Sequence, residues 1–375
     1  MIPLNSPFLP TSSKTYAMEA LDSEHQYGDG PFTERVSKLI SEKVGGGHVL
    51  LTPSCTQALE MACMLINVGP GDEVILPSYT FTSAATAITK FGATPVFVDI
   101  ESKSKGIDVN QVRASITPKT KAISWVNYAG RVPDIGGLLS IAAEFDLILI
   151  EDNAHGFGGS YKGRPLGSFG DFATLSFHAT KNIHCGEGGA LVINNLNFIE
   201  RAEIIREKGT DRSKFIRGVV PKYQWVDKGS SYLLAEVLAA VLLGQMEIFG
   251  PIQNERLKNW LDIQSMIKIK DHADFVILND DYMDCTSSHI FGLEFKTAES
   301  RAHWQKNLNK LGIGAATHYE PLHNSKAGQR YGKASFDMKN TICFSNTLLR
   351  LPIWSKSMNS VYSDYNAIVN ASISI

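Results

Sequence analysis

One lysine stands in a segment of small and apolar residues that has the composition of a tight turn. Lys181 comes just after the segment 176–180 (SFHAT) and shortly before the segment 186–189 (GEGG). An enclosed lysine has a lowered pKa, and its neutral amine can form a Schiff base with a carbonyl compound. The glycines would let the backbone pass close to a bulky ring. An exposed lysine in a hairpin would show the same local pattern.

Two acids come directly after an apolar run. Glu151 and Asp152 follow the run 147–150, and His155 lies slightly further along the chain. A carboxylate at a buried strand end costs free energy unless it is paired. One suitable partner is the protonated nitrogen of a pyridine ring, because an acid there keeps the ring an electron sink. An aspartate that only caps the next segment would give the same pattern.

Small hydroxyl residues separate a predicted strand from a predicted helix in the segment 52–58 (TPSCTQA). Such residues at a helix start leave free N–H groups that bind phosphate. The segment is not a Walker loop, because G-x-x-x-x-G-K-[ST] is absent. An ordinary Ser/Thr helix cap is the alternative interpretation.

The three segments are complementary if they meet at one edge of a sheet. Ligands of open α/β sheets bind at the carboxyl ends of the strands, where all three segments fall. A lysine that forms a Schiff base, an acid for a ring nitrogen and a phosphate cradle together predict a pyridoxal phosphate (PLP) site.

The elements that would position these residues follow an alternating pattern over the first two-thirds of the chain. Short apolar runs alternate with helical stretches, which predicts crossover units and a mainly parallel sheet covered on both faces. The predicted strands are 48–51, 73–76, 96–99, 122–126, 147–150, 172–177 and 190–193, and the predicted helices include 57–66 and 135–145.

The pattern changes after about residue 229. Two long helices are predicted over 232–248 and 252–269, separated by Gly250-Pro251. A strand over 289–295 and helices over 300–311 and 360–371 follow. We therefore predict an N-terminal segment (1–30), a large PLP-binding α/β domain (31–250) and a small α+β C-terminal domain (251–375).

Composition excludes several classes of protein. The formal net charge of -2 argues against a globally basic nucleic-acid binder. The five cysteines show no C-x-x-C spacing, which favours reduced thiols, and we assign no metal ligands. The N-terminus lacks the pattern of a secretory leader, and no apolar run reaches membrane-spanning length. We expect a cytoplasmic protein without a membrane partner.

Taken together, the motifs resemble the DegT/StrS family of sugar-nucleotide aminotransferases, within the type I (aspartate-aminotransferase-like) fold of PLP enzymes. The resemblance covers essentially the whole chain. It rests on the segments 53–56 (PSCT), 77–81 (PSYTF), 151–155 (EDNAH), 176–182 (SFHATKN) and 186–189 (GEGG).

The resemblance implies catalytic roles for Lys181 and Asp152, and cofactor contacts for His155 and Phe81. Lys181 would hold PLP and move the proton, Asp152 would pair with the pyridine nitrogen, and His155 would lie near the ring hydroxyl. Phe81 would stack on the ring face, with plain core packing as the alternative.

The resemblance also implies how the cofactor phosphate is held. The backbone N–H groups of Cys55 and Thr56 and the hydroxyl of Ser176 would bind it. Many family members have Gly-(Tyr/Phe)-Asn-Tyr-Arg, whose Asn reaches the phosphate in the partner subunit. Ser231 takes that position here and Leu233 replaces the Arg, so a shorter donor would make this contact in a homodimer with shared active sites.

Basic and aromatic residues mark the expected substrate side. The stretch from 212 to 222 contains no acid, and we expect Arg212 and Arg217 to bind a nucleotide diphosphate unless the stretch is a solvated loop. Four further residues would lie near the sugar by resemblance, or be structural: His178, His318, Tyr319 and His323.

The activity that the resemblance implies is amino transfer from L-glutamate to a dTDP-4-keto-6-deoxyhexose, for surface polysaccharide synthesis. Amination at C3 of a dTDP-3-keto-6-deoxyhexose is the alternative. Sugar dehydratases of the family carry His in place of the lysine, so Lys181 argues for transamination. A dehydrogenase is disfavoured because no G-x-G-x-x-G follows a strand. A non-catalytic relative would have a degraded site, whereas every cofactor-type residue is present.

Overall fold

The computed structural model describes residues 2–268, 274–281 and 287–355. In this part of the chain the strands are β1 (His48–Thr52), β2 (Glu73–Pro77), β3 (Thr94–Val98), β4 (Thr120–Val126), β5 (Ile148–Asp152), β6 (Ser160–Tyr161), β7 (Arg164–Pro165), β8 (Phe172–Ser176), β9 (Gly189–Ile193), β10 (Phe275–Ile277), β11 (Phe291–Phe295), β12 (Lys333–Ala334) and β13 (Leu348–Leu351).

The helices of the described residues connect and cover these strands. They are α1 (Thr11–Asp22), α2 (Pro31–Lys43), α3 (Cys55–Leu65), α4 (Thr82–Thr89), α5 (Val109–Ser115), α6 (Ile135–Phe145), α7 (Ile199–Arg206), α8 (Arg212–Ile216), α9 (Glu236–Met246), α10 (Phe249–Lys268), α11 (Ala298–Lys310), α12 (Lys326–Tyr331) and α13 (Lys339–Thr347).

A large, mostly parallel sheet organises the chain, as predicted. Its strand order is β1-β9-β8-β5-β4-β2-β3-β12. Strand β9 runs antiparallel to both β1 and β8, while the pairs from β8 to β12 are parallel. The carboxyl ends of β5 and β8 therefore point to the same edge of the sheet.

Both faces of this sheet are covered by helices, which explains the near-continuous apolar sequence of its strands. Val74 and Leu76 pack with α3 and α4 on one face. Ile75 between them packs with α6 on the other face, because successive side chains of a strand alternate. On that second face β1, β8 and β9 pack against α2 and α9.

Two predicted boundaries shift at the segments expected to carry chemistry. Helix α3 begins at Cys55 and not at Gln57, because the Ser54 hydroxyl accepts a hydrogen bond from the Gln57 N–H and caps the helix. Strand β5 continues through Glu151 and Asp152, which were predicted to follow it. The two acids are thus held in extended backbone, where their side chains point in opposite directions.

The C-terminal region adds a second, antiparallel sheet of order β10-β11-β13 with its own apolar cluster, which includes Trp260, Phe291 and Leu293. Strand β12 returns to the large sheet beside β3. The boundary near residue 250 stays a prediction. The predicted helix over 360–371 lies outside the described residues.

The two long helices predicted after residue 229 begin elsewhere. Helix α9 starts at Glu236, four residues after the predicted start at Tyr232. The Tyr232 backbone is not helical, because its N–H donates to the Arg206 carbonyl. Helix α10 starts at Phe249 and contains Pro251 in its first turn, where the missing N–H costs no intrahelical bond.

Two further observations concern the expectations from composition. No helix within the described residues is long and apolar enough to cross a membrane. Cys55, Cys63, Cys185 and Cys343 carry free thiols, and Cys285 lies outside the described residues.

Candidate active site

A cavity of about 550 Å³ opens at the carboxyl ends of β5 and β8, beside the N-terminus of α3. Most residues singled out from the sequence line it. They are Cys55, Thr56, Phe81, Asp152, His155, Ser176, His178, Lys181, His318 and Tyr319. The sheet thus brings together the three segments that the sequence predicted to be complementary.

The turn between β8 and β9 carries Lys181. The backbone N–H of Lys181 donates to the His178 carbonyl over 2.8 Å. The neighbouring Asn182 side chain donates to the Gln253 side chain on α10 over 2.9 Å and to the Ser287 carbonyl over 2.7 Å. The turn is therefore fixed at its base, and the lysine side chain extends from a rigid backbone.

The Lys181 amine is largely removed from water. Burial lowers its pKa from 10.5 to about 8, while the nearby Asp152 carboxylate opposes the shift. Near neutral pH a far larger fraction of this amine than of a solvated lysine is therefore unprotonated, which is the form that attacks a carbonyl carbon or accepts a proton.

The two acids at the end of β5 have separate tasks. The Glu151 carboxylate is fully buried, where it accepts backbone N–H bonds from Gly167 at 2.7 Å and Phe169 at 3.0 Å. Asp152 lines the cavity, where its Oδ1 accepts the Ala154 N–H at 3.1 Å. No donor among the described residues reaches its Oδ2. Burial raises the pKa of Asp152, against the effects of the Ala154 N–H and the Lys181 charge. A cation placed beside this carboxylate would reverse that rise.

The start of α3 forms the third side of the cavity. Cys55 and Thr56 occupy its first two positions, whose N–H groups have no intrahelical acceptor. Gly189 of β9 crosses directly behind them, and a side chain there would collide with the backbone of Ser54 and Cys55. The Thr56 hydroxyl meets the Ser83 hydroxyl of α4 at 2.6 Å. This concave, N–H-lined surface suits a phosphate.

Imidazole and phenol rings form the wall opposite α3. His155 stacks on His318 with ring centroids 5.7 Å apart, and its Nε2 is 3.2 Å from the Tyr319 hydroxyl. The other ring nitrogen, Nδ1, is buried without a hydrogen-bond partner among the described residues. Burial holds the pKa values of His155 and His318 below 6.5, so both rings are neutral at pH 7. The free Nδ1 suits a ligand hydroxyl.

The remaining lining residues fill the mouth of the cavity. The Phe81 side chain is 52% exposed, with its ring 5.9 Å from that of Tyr319, so it is not core. Ser176 ends β8 at the cavity edge. His178 accepts the Thr180 N–H on Nδ1 at 3.2 Å, and its Nε2 lies 3.5 Å from Glu187.

Four predicted site residues do not line this cavity. Ser231 is exposed and pairs with Glu207 through the backbone. Arg212 donates to Glu207 at 2.7 Å, and Arg217 forms a bidentate pair with Glu203. The Nδ1 of His323 is 2.6 Å from the Ser78 hydroxyl. Their roles stay predictions.

The cavity also contains residues that sequence reasoning missed. Arg350 of β13 and His289, which precedes β11, both line it. The Nδ1 of His289 lies 2.8 Å from the Asn182 side-chain oxygen, so it helps to hold the lysine turn. A single arginine within the apolar strand Leu348–Leu351 was a signal that could have drawn attention to Arg350.

The residues present fit PLP on structural grounds. Asp152 offers a buried carboxylate that accepts the Ala154 N–H on Oδ1, His155 offers a buried ring nitrogen without a partner, and α3 offers free N–H groups. These three features face one cavity that also contains Lys181. Asp152, His155, the α3 N–H groups and Lys181 would meet the ring nitrogen, hydroxyl, phosphate and aldehyde of that cofactor, respectively.

Comparisons with known proteins agree with this geometry. The sequence model of the DegT/DnrJ/EryC1/StrS aminotransferase family matches residues 11–365. GDP-perosamine synthase from Caulobacter vibrioides is 30% identical over 329 residues, which cover 86% of this chain and 85% of that protein.

Two solved structures have the same fold. The aminotransferase TlmJ from Streptoalloteichus hindustanus superposes with a TM-score of 0.90 at 25% identity, covering 100% of this chain and 99% of that one. The PLP form of the putative sugar aminotransferase Spr1654 from Streptococcus pneumoniae gives a TM-score of 0.86 at 25% identity, covering 99% of both chains.

The lowered pKa of Lys181 predicts how the apoprotein captures PLP. Raising the pH through about 8 converts the amine to its nucleophilic form, so the rate of covalent capture should rise up to that pH and then level off. Stopped-flow absorbance of the adduct measures this rate. The Lys181→Arg variant should show no adduct, while Lys162→Arg, at an exposed turn, should keep the wild-type profile. A rate that still climbs at pH 10 would mean that the reacting amine is solvated.

Proposed function

Because the chain belongs to the DegT/DnrJ/EryC1/StrS aminotransferase family, we propose that it transfers the amino group of L-glutamate to C4 of a dTDP-4-keto-6-deoxyhexose. The enzyme is an aminotransferase, and its cofactor is PLP. The proposal adds the donor, the nucleotide and the position of amination. The single observation that carries the proposed amino transfer at this site is the meeting of Lys181, Asp152 and the α3 N-terminus in one cavity.

Lys181 is the group that moves protons. When bound, PLP supplies an electron-withdrawing ring that stabilises negative charge on the carbon attached to the amino nitrogen. The Lys181 amine, with a pKa of about 8, can accept a proton from the donor Cα near neutral pH and can return it as an ammonium. Its fixed turn holds the amine in one place during both transfers.

Asp152 and the α3 N-terminus orient the cofactor from opposite ends. The carboxylate of Asp152 would hold a proton on the ring nitrogen, and this cation would in turn keep the buried carboxylate ionised. The N–H groups of Cys55 and Thr56 would bind the phosphate. The buried His155 ring would help to exclude water from its side of the cavity.

The same lysine would serve two half-reactions. In the first, Lys181 would take the Cα proton of glutamate, which departs as 2-oxoglutarate. In the second, it would deliver or remove the proton at the sugar carbon that receives the amino group in the same cavity. Ping-pong kinetics follow from this order.

The substrate assignment rests on two further segments. The stretches 208–213 (KGTDRS) and 229–233 (GSSYL) resemble dTDP-4-amino-4,6-dideoxygalactose transaminase in particular. The Caulobacter relative is named for a GDP-linked aminosugar, so nucleotide choice is the point on which the proposal departs from that relative. The product would serve surface polysaccharide (O-antigen or related) synthesis in the cytoplasm.

We also propose a homodimer in which residues of one subunit complete the site of the other. Ser231, Arg212 and Arg217 do not line the cavity of their own chain. Beside them the surface is unusually apolar, with Ile216 63% and Trp225 79% exposed. Such a surface is typical of one covered by a partner.

The acceptor is tested with purified enzyme, L-glutamate and dTDP-4-keto-6-deoxyglucose. We expect an aminosugar nucleotide whose NMR spectrum shows nitrogen on C4, with either galacto or gluco configuration. The 3-keto isomer and GDP-4-keto-6-deoxymannose are the matched alternatives. If the 3-keto isomer turns over faster than dTDP-4-keto-6-deoxyglucose, the enzyme aminates C3 and not C4. If the GDP-sugar turns over faster, the nucleotide assignment is wrong.

The basic stretch is tested with Arg212→Ala and Arg217→Ala. If these guanidinium groups bind the diphosphate, the KM for the sugar nucleotide should rise about 10-fold in each variant, because each loses a charge-assisted hydrogen bond. The KM for L-glutamate should not change. Arg113→Ala is the matched control, since Arg113 also forms a bidentate pair with an exposed glutamate, Glu144. If the KM for the sugar nucleotide is unchanged in both variants, Arg212 and Arg217 do not bind the substrate.

A further inference from the structure

His289 is a cavity residue whose ring has a fixed direction. Its Nδ1 lies 2.8 Å from the side-chain oxygen of Asn182, the residue that follows Lys181. Its backbone carbonyl accepts a hydrogen bond from Arg256 at 2.9 Å. The ring edge that carries Nε2 is therefore the one left to face the cavity, and Nε2 has no hydrogen-bond partner within the described residues.

The orientation of the Asn182 amide decides which ring nitrogen of His289 carries the proton. The amide nitrogen of Asn182 donates to the Ser287 carbonyl over 2.7 Å, and a backbone carbonyl can only accept. The Gln253 amide agrees with this orientation, because its nitrogen donates to the same carbonyl at 3.3 Å while its oxygen accepts from Asn182. The Asn182 oxygen thus faces His289, so Nδ1 is the nitrogen that donates.

The ring of His289 is also kept neutral. Burial holds its pKa well below 6.5, and the charges of Lys181, Arg256 and Arg350 lower this pKa further. A neutral imidazole with its proton on Nδ1 has a bare Nε2. His289 therefore presents to the cavity a hydrogen-bond acceptor that stays an acceptor near pH 7.

This acceptor lies close to the reacting groups. The ring centroid of His289 is 4.6 Å from that of His155, whose free Nδ1 suits the ring hydroxyl of the cofactor. The effect of the Lys181 charge on the pKa of His289 places the amine nearby. A ligand group that binds Nε2 is therefore close to the carbon that receives the amino group, and it must carry a donor hydrogen.

The substrates of the proposed reaction differ in whether they offer such a donor. Both carboxylates of glutamate only accept hydrogen bonds, so a bare Nε2 does not bind them. A ketosugar carries a hydroxyl on a carbon next to its reacting carbonyl, and a hydroxyl can donate. The sugar hydroxyl is thus the substrate group that matches the acceptor of His289.

We propose that Nε2 of His289 accepts a hydrogen bond from the hydroxyl next to the reacting carbonyl of the sugar nucleotide, an inference that rests on the proposed transfer to such a sugar. His289 then acts in the second half-reaction and makes the enzyme prefer a hydroxylated ring to a deoxygenated one. The preference arises because an enclosed acceptor that loses its donor is left unsatisfied.

The test compares two acceptor substrates that differ in one hydroxyl. The cofactor of the holoenzyme is converted to its amine form with L-glutamate, the glutamate is removed, and dTDP-4-keto-6-deoxyglucose or its 3-deoxy analogue is added. Absorbance follows the return of the cofactor to its aldehyde form. The wild-type enzyme should half-saturate at a concentration of the analogue about 10-fold above that of the parent sugar, because one hydrogen bond is lost.

Two amide variants separate the two edges of the ring. The side chain of His289→Asn can take the place of Nδ1 beside Asn182 but is too short to reach the position of Nε2, so the concentration ratio should fall to near one. The longer side chain of His289→Gln brings an acceptor oxygen to that position and should keep most of the ratio. His303→Asn is the matched control, because His303 also contacts an asparagine side chain, that of Asn307 at 2.9 Å, but lies outside the cavity.

A second measurement needs no variant. ¹⁵N NMR of the wild-type holoenzyme, labelled at histidine and assigned through the backbone, reports which ring nitrogens carry protons. His289 should show a protonated Nδ1 and a bare Nε2 around pH 7. A proton on Nε2 would overturn the proposal even if both variants failed to fold.

The other outcomes are distinct. The proposal is wrong if the wild type shows no preference between the two sugars, if His289→Asn keeps the preference, or if both variants lose it alike. If the wild type converts neither sugar, the acceptor named above is wrong, and the 3-keto isomer with its 4-deoxy analogue repeats the comparison. If no ketosugar nucleotide is converted, both proposals fail.

Discussion

The structure depends on an amine and a carboxylate that share one poorly solvated cavity. Burial disfavours the charged form of each group, since it lowers the pKa of Lys181 to about 8 and raises that of Asp152. Each charge partly stabilises the other, but the pair lacks a strong ionic contact. A ring that binds covalently to the amine and carries a proton towards the carboxylate resolves both penalties at once. On the proposed mode of binding, the cofactor would offset the free-energy cost of keeping these two groups from water.

The sheet provides this juxtaposition through strand direction. Parallel β5 and β8 deliver Asp152 and Ser176 to the same edge. The reversal at β9 then creates the turn that carries Lys181 back over that edge, with Gly189 allowing α3 to approach from behind. The antiparallel strand in an otherwise parallel run is therefore the feature that places the reactive amine.

Much of this arrangement was accessible from the sequence because the signals are local. The lysine turn, the acids after β5 and the capped start of α3 each occupy a few consecutive residues, and the α/β alternation places them at strand ends. Two boundaries at these segments were misjudged for local reasons. The Ser54 cap starts α3 earlier, and the pairing of Glu151 and Asp152 with β4 and β8 extends β5. Arg350 and His289 were missed because they reach the cavity from the C-terminal sheet, far along the chain, where no local pattern marks a shared site. The position of amination and the galacto or gluco configuration of the product depend on pocket shape, which sequence patterns do not encode.

The central claim is that the amine of Lys181 bonds covalently to the cofactor. Reducing the holoenzyme with borohydride fixes such a bond, and mass spectrometry of the digested protein then identifies the modified lysine. The account predicts one phosphopyridoxyl group per chain, on the peptide that contains Lys181. A modification on any other lysine, or an unmodified Lys181 peptide from enzyme that was fully loaded with cofactor, would contradict it.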